Sequence, residues 1–367
     1  MKIPDRLSFN GRVYCGKSLK TWAERLCASS VQWEKELGEF LQQWTSGNES
    51  ITAFTSGSTG PAKAIRLNKN AMTASAKATI KALNLISAHQ ALLCLSCKTI
   101  AGMMMVVRSM VAEMNLITLP PSGNPLKGAG KKFRADFAAM VPAQVYNCLN
   151  DEESRETFLT IGTVIIGGGE ISPQLEAQLR ELPNALYATY GMTETISHIA
   201  LRRLNGPERS DFYTALPGIA IMADTRGCLV IDAPRISEQT ITTNDLVETE
   251  GGNRFRWLGR YDNIINRGGK KLMPESIEKK LFPFIIQRFF IAGLPHEKYG
   301  EAPVLLIESA EIPGEYLQLL QKSIAAALSH DETPLRIITV PAFSETESGK
   351  INRKETLKLC KIGRAHV

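Results

Sequence analysis

No stretch of this 367-residue sequence is apolar for long enough to cross a membrane. The longest such run, at 100–107, reads as closed by Arg108, so no membrane span is expected. The start, Met1-Lys2-Ile3-Pro4-Asp5, lacks the apolar core of a secretory leader, which points to a cytoplasmic protein. Seven cysteines occur without a framework spacing, which excludes a disulfide scaffold. Cys94 and Cys97 form one C-x-x-C inside an apolar run, so buried thiols compete with a metal or redox pair. Internal repeats, low-complexity tracts and long Lys/Arg blocks are also missing. The net charge of +6 is scattered; it suits small anionic substrates and would also suit mild nucleic-acid contact, so by itself it decides little, and no nucleic-acid partner is expected.

What remains is the composition of a globular enzyme-sized chain, 44% hydrophobic and 22% charged, long enough for two domains. Residues 18–44 read as two helices, the second with Trp33, Leu37, Phe40, Leu41 and Trp44 on one face. From 51 onward strands (51–54, 65–67, 91–95, 116–119, 164–166, 186–189) alternate with helices (71–83, 102–113, 173–182). That alternation predicts a large α/β domain over 1–258 with parallel-rich sheets, and the shorter strands at 216–258 predict an antiparallel appendage. The character changes again at Gly259-Arg260-Tyr261-Asp262. Residues 263–361 are expected to form a small α+β domain, and 362–367 read as a non-native tail.

Six short segments could carry chemistry. Thr55-Ser56-Gly57-Ser58-Thr59-Gly60-Pro61-Ala62-Lys63 gathers hydroxyls, glycines and a cation suited to a polyphosphate, although a flexible linker has similar composition. It is not the ordinary phosphate loop, because Ala62 and Ala64 stand where that motif needs glycine and a hydroxyl. Gly167-Gly168-Gly169-Glu170 follows a strand end, where open α/β sheets bind nucleotides; a plain tight turn is the alternative. Tyr190-Gly191-Met192-Thr193-Glu194-Thr195 offers a lone carboxylate suited to Mg²⁺, or else a helix-capping acid. Asp245, in Thr243-Asn244-Asp245, could accept ribose hydroxyls or merely make a turn. Gly259–Asp262 with Asn266-Arg267-Gly268-Gly269-Lys270-Lys271 combines glycines and cations, as a basic turn also does. Glu347-Ser348-Gly349-Lys350 places one lysine on a small-residue loop.

In this order the segments resemble the adenylate-forming superfamily of acyl-CoA synthetases, adenylation domains and luciferases, over about residues 50–358. The resemblance implies attack of a carboxylate on MgATP to give an acyl-adenylate and pyrophosphate, then displacement of AMP by coenzyme A. Thr55, Ser56, Gly57, Ser58, Thr59, Gly60 and Lys63 would hold the phosphates. Gly168, Gly169 and Glu170 would line the adenine and acyl pocket, Tyr190 would stack on adenine, and Asp245 and Arg260 would grip the ribose. Thr193 would meet the α-phosphate, Glu194 would hold Mg²⁺, and Lys350 would bridge the attacking carboxylate and the α-phosphate. Asp262 matches a hinge at 259–262, about which a mobile small domain would withdraw Lys350 and present Gly268-Gly269 to the coenzyme A path.

Phe137–Gln144 with its Val-Pro-x-Gln, together with Ile100-Ala101-Gly102 and Ser197-His198, is similar to the o-succinylbenzoate–CoA ligases of menaquinone synthesis. That acid carries a second carboxylate, for which Lys98, Arg108 and His198 are the candidate readers; surface or helix-end cations and a packing histidine are the alternatives. A ligase for another aryl or short acyl acid, and a degenerate nucleotide-binding module, stand as competing functions. Only 54 residues precede the phosphate loop, and Pro61 is one place early relative to the superfamily. The small-molecule partners implied are a carboxylic acid, ATP and coenzyme A; a homo-oligomer is left open.

Overall fold

Strands that are apolar at consecutive positions need cover on both faces. The computed structural model, which describes residues 3–55, 63–251, 253–345 and 351–360, supplies it with helices on either side of one large sheet. Strands β1 (Arg6–Phe9) and β2 (Arg12–Cys15) open the chain, followed by helices α1 (Gly16–Cys27) and α2 (Gln32–Thr45). A separate antiparallel pair, β3 (Ser50–Thr55) and β4 (Lys63–Asn68), comes next, then α3 (Lys69–Ala82), β5 (Gln90–Leu93), α4 (Ile100–Ala112) and β6 (Asn115–Thr118). The series continues with β7 (Ala135–Met140), α5 (Pro142–Leu149), α6 (Glu152–Phe158), β8 (Ile161–Ile166), α7 (Pro173–Arg180) and β9 (Ala185–Gly191). Strands β10 (His198–Arg203), β11 (Tyr213–Ala215), β12 (Ala220–Ala223), β13 (Cys228–Asp232), β14 (Ile241–Glu250) and β15 (Arg254–Arg260) complete the thirteen-stranded sheet.

Its order is β12-β13-β14-β15-β11-β10-β9-β8-β7-β5-β6-β1-β2. The segment from β9 to β1 is parallel. Alternate residues divide between two cores. Ala91, Leu93, Phe137, Ala139 and Ile165 pack with α1–α4, while Leu92, Ala138, Met140, Val164 and Ile166 pack with α5–α7. The antiparallel strands expected as an appendage are hydrogen-bonded into this same sheet, β10 pairing with β9. The β1–β2 hairpin at the other edge has no counterpart in the sequence reading; its short, mostly exposed strands carry little alternation.

The helix expected over 102–113 forms, and the charge that interrupts its apolar run is inside the protein. Helix α4 continues to Ala112, and Arg108 lies within it among buried Met103–Met110. A helix apolar all round belongs in a core, and α4 enters it closely: a Cβ on Gly102 would be 2.2 Å from the Ser96 carbonyl oxygen.

A second sheet has β16 (Ile265–Arg267), β17 (Lys270–Leu272), β18 (Phe289–His296), β19 (Gly300–Glu308) and β20 (Ile337–Val340), with α8 (Pro274–Leu281), α9 (Gly314–Ala327) and α10 (Arg353–Leu359). It has apolar clusters of its own. Among the described residues no helix is long and apolar enough to cross a membrane.

Candidate nucleotide and acid site

Of the expected nucleotide residues, Tyr190 near the end of β9, Asp245 within β14 and Arg260 at the end of β15 come together, and the glycine loop follows β8, the neighbour of β9. Gly168, Gly169 and Glu170 follow β8 and are exposed. One strand over, Tyr190 presents its ring edge-on to Phe255 at 5.0 Å and to Tyr213 at 5.9 Å. Its hydroxyl donates to Asp245 Oδ2 at 2.6 Å. Burial pushes the phenol up, and the neighbouring Asp245 charge adds to it, so Tyr190 is a hydrogen-bond donor throughout the neutral range. Asp245 Oδ1 accepts from Trp257 Nε1 at 3.3 Å and from Arg260 Nη1 at 3.2 Å.

Trp257 was not legible as a site residue. Two residues three apart on a regular strand face opposite sides, but β15 slips register between Leu246 and Val247 of its partner. Leu258 is the extra residue, Gly259 beside it takes φ +151°, a conformation L side chains rarely adopt, and the bulge turns Trp257 and Arg260 onto one acid. Asp262 follows in a single 3-10 turn, within 3.4 Å of Arg260 Nη2 and accepting from Asn244 Nδ2 at 3.2 Å.

Past β9, Thr193-Glu194-Thr195 makes another 3-10 turn. Thr195 is buried and donates to the Ser197 and Met192 carbonyls, which closes the turn. The bend leaves Ile196 at φ +65°, strained for a β-branched residue; such strain collects at functional sites. Glu194 is exposed and has no partner among the described residues. Among the described residues no three His, Cys, Asp or Glu side chains cluster to hold a metal by themselves. A free carboxylate of this kind fits Mg²⁺ bound chiefly through phosphate oxygens.

The strained bend delivers Ser197 and His198 to the core, where they meet Arg108. This guanidinium is 1% exposed. Its Nη2 donates to Ser197 Oγ at 2.9 Å and lies 3.4 Å from His198 Nδ1; Nε has no partner. Among the described residues no carboxylate pairs with Arg108, and burial pushes its guanidinium down to about 9. His198 Nε2 lies 3.1 Å from Thr79 Oγ1, whose hydroxyl donates to the Ser75 carbonyl. That pattern assigns the proton to Nε2 and leaves Nδ1 to accept from Arg108. Burial, then the adjacent Arg108 charge, holds His198 well below its ordinary value and therefore neutral. Thr79, 119 residues away in sequence, had no local signal that could have revealed it.

Lys98 lies apart from this group. It is exposed and 3.6 Å from Glu36 of α2, which also accepts from Ser96. Gly268 and Gly269, both at positive φ, make the exposed two-residue turn between β16 and β17. Residues 56–62 and Lys350 lie outside the described residues; Thr55 and Lys63 pair as the backbone ends of β3 and β4. Cys94 and Cys97 are free buried thiols, with Cys94 pushed up to about 12 by burial.

The family model for AMP-binding enzymes matches residues 17–230. A probable 2-succinylbenzoate–CoA ligase of Mycobacterium tuberculosis is 26% identical over 353 residues, covering 89% of each chain. Among solved structures, an acyl-CoA synthetase (AMP-forming)/AMP-acid ligase II-like protein from Dyadobacter fermentans is 37% identical. It matches with a TM-score of 0.64 over 93% of this chain and 98% of that one. The o-succinylbenzoate coenzyme A synthetase of Bacillus subtilis, in complex with ATP and magnesium ion, shares the fold at 18% identity and a TM-score of 0.67, over 83% of this chain and 69% of its own.

Proposed function

The chain belongs to the AMP-binding enzyme family, and from that premise we propose that it is an ATP-dependent acid–thiol ligase acting on o-succinylbenzoate. The acid is activated as its acyl-adenylate with loss of pyrophosphate, and coenzyme A then displaces AMP to give the thioester. The observation that carries the choice of acid is Arg108, a buried cation with an unpartnered Nε and no carboxylate beside it. Burying a lone charge is unfavourable unless an anion arrives to match it. A substrate with a second carboxylate brings that anion, and neutral His198 and Ser197 hold the guanidinium ready. The curated relative from Mycobacterium tuberculosis carries the same activity in its name.

In this reading Tyr190 packs against adenine while Asp245 accepts from the ribose, beside Arg260. Thr193 meets the α-phosphate, and the Thr55–Lys63 loop holds the β- and γ-phosphates. Mg²⁺, held by Glu194 with phosphate oxygens, supplies charge neutralisation on the polyphosphate. Lys350 bridges the attacking carboxylate and the α-phosphate, where negative charge builds in the transfer. The chain between Arg260 and Ile265 is a single short turn, and about it the small domain would rotate to exchange Lys350 for the Gly268-Gly269 turn. Free buried cysteines suit the cytoplasm, where ATP and coenzyme A are available.

The test is pyrophosphate release with MgATP over a panel of aryl, short acyl and amino acids, followed by thioester detection with coenzyme A. Preferred turnover of o-succinylbenzoate is expected. Good turnover of another acid with none of o-succinylbenzoate refutes the substrate, and no adenylation of any acid refutes the enzyme.

A further inference from the structure

One acidic side chain is shared between parts of the chain that must separate if the small domain turns. Glu275 stands in the first turn of α8 with 9% of its side chain exposed. Its Oε1 accepts from Asn263 Nδ2 at 2.6 Å and lies 3.8 Å from Arg353 Nη2. Its Oε2 is buried without a hydrogen-bond partner. It presses on the last strand of the large sheet so closely that a Cβ on Gly259 would be 2.5 Å from it.

The charge of Arg353 is not what keeps Glu275 there. Arg353 is already matched by Glu278 through two parallel bonds of 2.8 Å, and it donates to the Ile291 carbonyl at 3.2 Å. Glu278 in turn accepts from the Ile291 N–H at 2.7 Å. This fixes α8, β18 and the start of α10 to one another without Glu275. What Glu275 adds is its grip on Asn263 and its contact with Gly259, the two residues that bracket Arg260, Tyr261 and Asp262. A buried carboxylate oxygen with no donor among the described residues is a poor choice for a purely structural contact.

Resting on the reading above, we propose that Glu275 is a positioning residue of the hinge: it latches the small domain, through Asn263 and against Gly259, in the arrangement that serves adenylation. The arrangement is identified by Gln174 of α7, four residues past Glu170, whose Nε2 donates to the Phe282 carbonyl at the end of α8 at 3.2 Å. Arg353 lies three residues beyond Lys350, and Ile351 between them pairs with Glu345 while Asn352 N–H donates to the Ser344 carbonyl. Through Glu278 of α8, Arg353 is thus tied to the helix that meets α7 just beyond the Gly168–Glu170 loop. The unpartnered oxygen makes the latch releasable, because swinging away from Gly259 exposes it to solvent donors.

The experiment compares the two half-reactions in wild type, Glu275→Ala and Glu275→Gln. Adenylation is read by pyrophosphate release and thioester formation by adding coenzyme A to supplied acyl-adenylate. Alanine removes the grip on Asn263 and should lower the adenylation-to-thioester rate ratio about ten-fold, the worth of a hydrogen bond to a charged group. Glutamine keeps an oxygen for Asn263 and should recover most of the ratio. Equal losses in both half-reactions, an unchanged ratio, or a Gln variant no better than Ala would overturn the latch. A spin label on each domain gives a readout free of substrate: the interdomain distance distribution of the ligand-free protein should broaden in Glu275→Ala and stay narrow in Glu275→Gln. If wild type adenylates no acid, the functional reading fails. The distance measurement then still decides the latch, an unbroadened distribution in the Ala variant counting against it.

Discussion

Replacing Arg108 by methionine should damage recognition of the acid while sparing, or even improving, the stability of the ligand-free protein. Burial lowers the guanidinium by roughly three to four units below its ordinary value, to about 9. At about 1.4 kcal/mol per unit, holding it charged in the core is unfavourable by on the order of 5 kcal/mol. Against this stands one good charged hydrogen bond, to Ser197 at 2.9 Å, contributing about 2 kcal/mol. The contact to His198 at 3.4 Å is weaker. Methionine is apolar, unbranched and of comparable length, and it would join Met103, Met104, Met105 and Met110 on the same helix. Ser197 and His198 would lose their partner, returning about 1–3 kcal/mol of the gain. The net expectation is a change from zero to about 2 kcal/mol in favour of the variant, where breaking a compensated buried ion pair would destabilise by about 3–5 kcal/mol. Thermal melting of the ligand-free protein checks the sign. For o-succinylbenzoate the variant loses a carboxylate partner worth about 2–5 kcal/mol, so KM should rise from roughly 30-fold to a few thousand-fold. The KM for ATP and for a monocarboxylic aryl acid should change little. A markedly lowered melting temperature would mean that Arg108 is already compensated in the free protein. An equal KM rise for mono- and dicarboxylic acids would mean that it does not read the second carboxylate.

Lys350→Ala should abolish pyrophosphate release while leaving thioester formation from supplied acyl-adenylate near wild type; equal loss of both would refute the division of labour between the steps. His198 is neutral in the fold, its protonation suppressed well below the ordinary 6.5, whereas in the unfolded chain it takes a proton below about pH 6.5. Its contribution to stability is therefore present above that pH and is lost as pH falls, at up to about 1.4 kcal/mol per pH unit. Denaturant midpoints of wild type and His198→Asn, measured at pH 7.5 and 5, should show the smaller acid loss in the variant, and parallel losses would refute it.

The alternation of strands and helices was readable because β5, β7 and β8 are covered on both faces and so carry near-continuous apolar residues. The N-terminal hairpin escaped notice for the opposite reason: Arg12–Cys15 is an edge strand without a buried residue. Arg108 was readable as a candidate cation but not as a buried one. The helix predicted over 102–113 contains Arg108, but only α3 and the Ser197–His198 bend, packed around it, show that the charge is inside. Tyr190, Asp245 and Arg260 were found by motif order, and the structure brings them into one hydrogen-bonded group. Trp257 was hidden by a bulge that breaks strand alternation, a feature set by pairing with β14 and not by the residues of β15 alone. Glu275 was hidden because its meaning depends on Gly259 and Asn263 across a domain junction.

The same junction explains why Arg260 need not be a passive ribose ligand. Both oxygens of Asp245 are occupied in the ligand-free protein, Oδ2 by Tyr190 and Oδ1 by Trp257 and Arg260. Trp257 is a neutral donor fixed in its strand by pairing with Val247, whereas the Arg260 side chain is 47% exposed and already stands 3.4 Å from Asp262. A ribose hydroxyl that takes Oδ1 therefore competes most easily with Arg260, whose guanidinium has a second carboxylate within reach. That carboxylate belongs to Asp262, which also accepts from Asn244 and lies one residue from the Asn263 that Glu275 grips. One cation thus stands between the proposed ribose acid and the acid in the turn between the sheets. On the reading proposed above, nucleotide occupancy would have a direct electrostatic route to that turn, with no need for a shift in the packed strands beneath it.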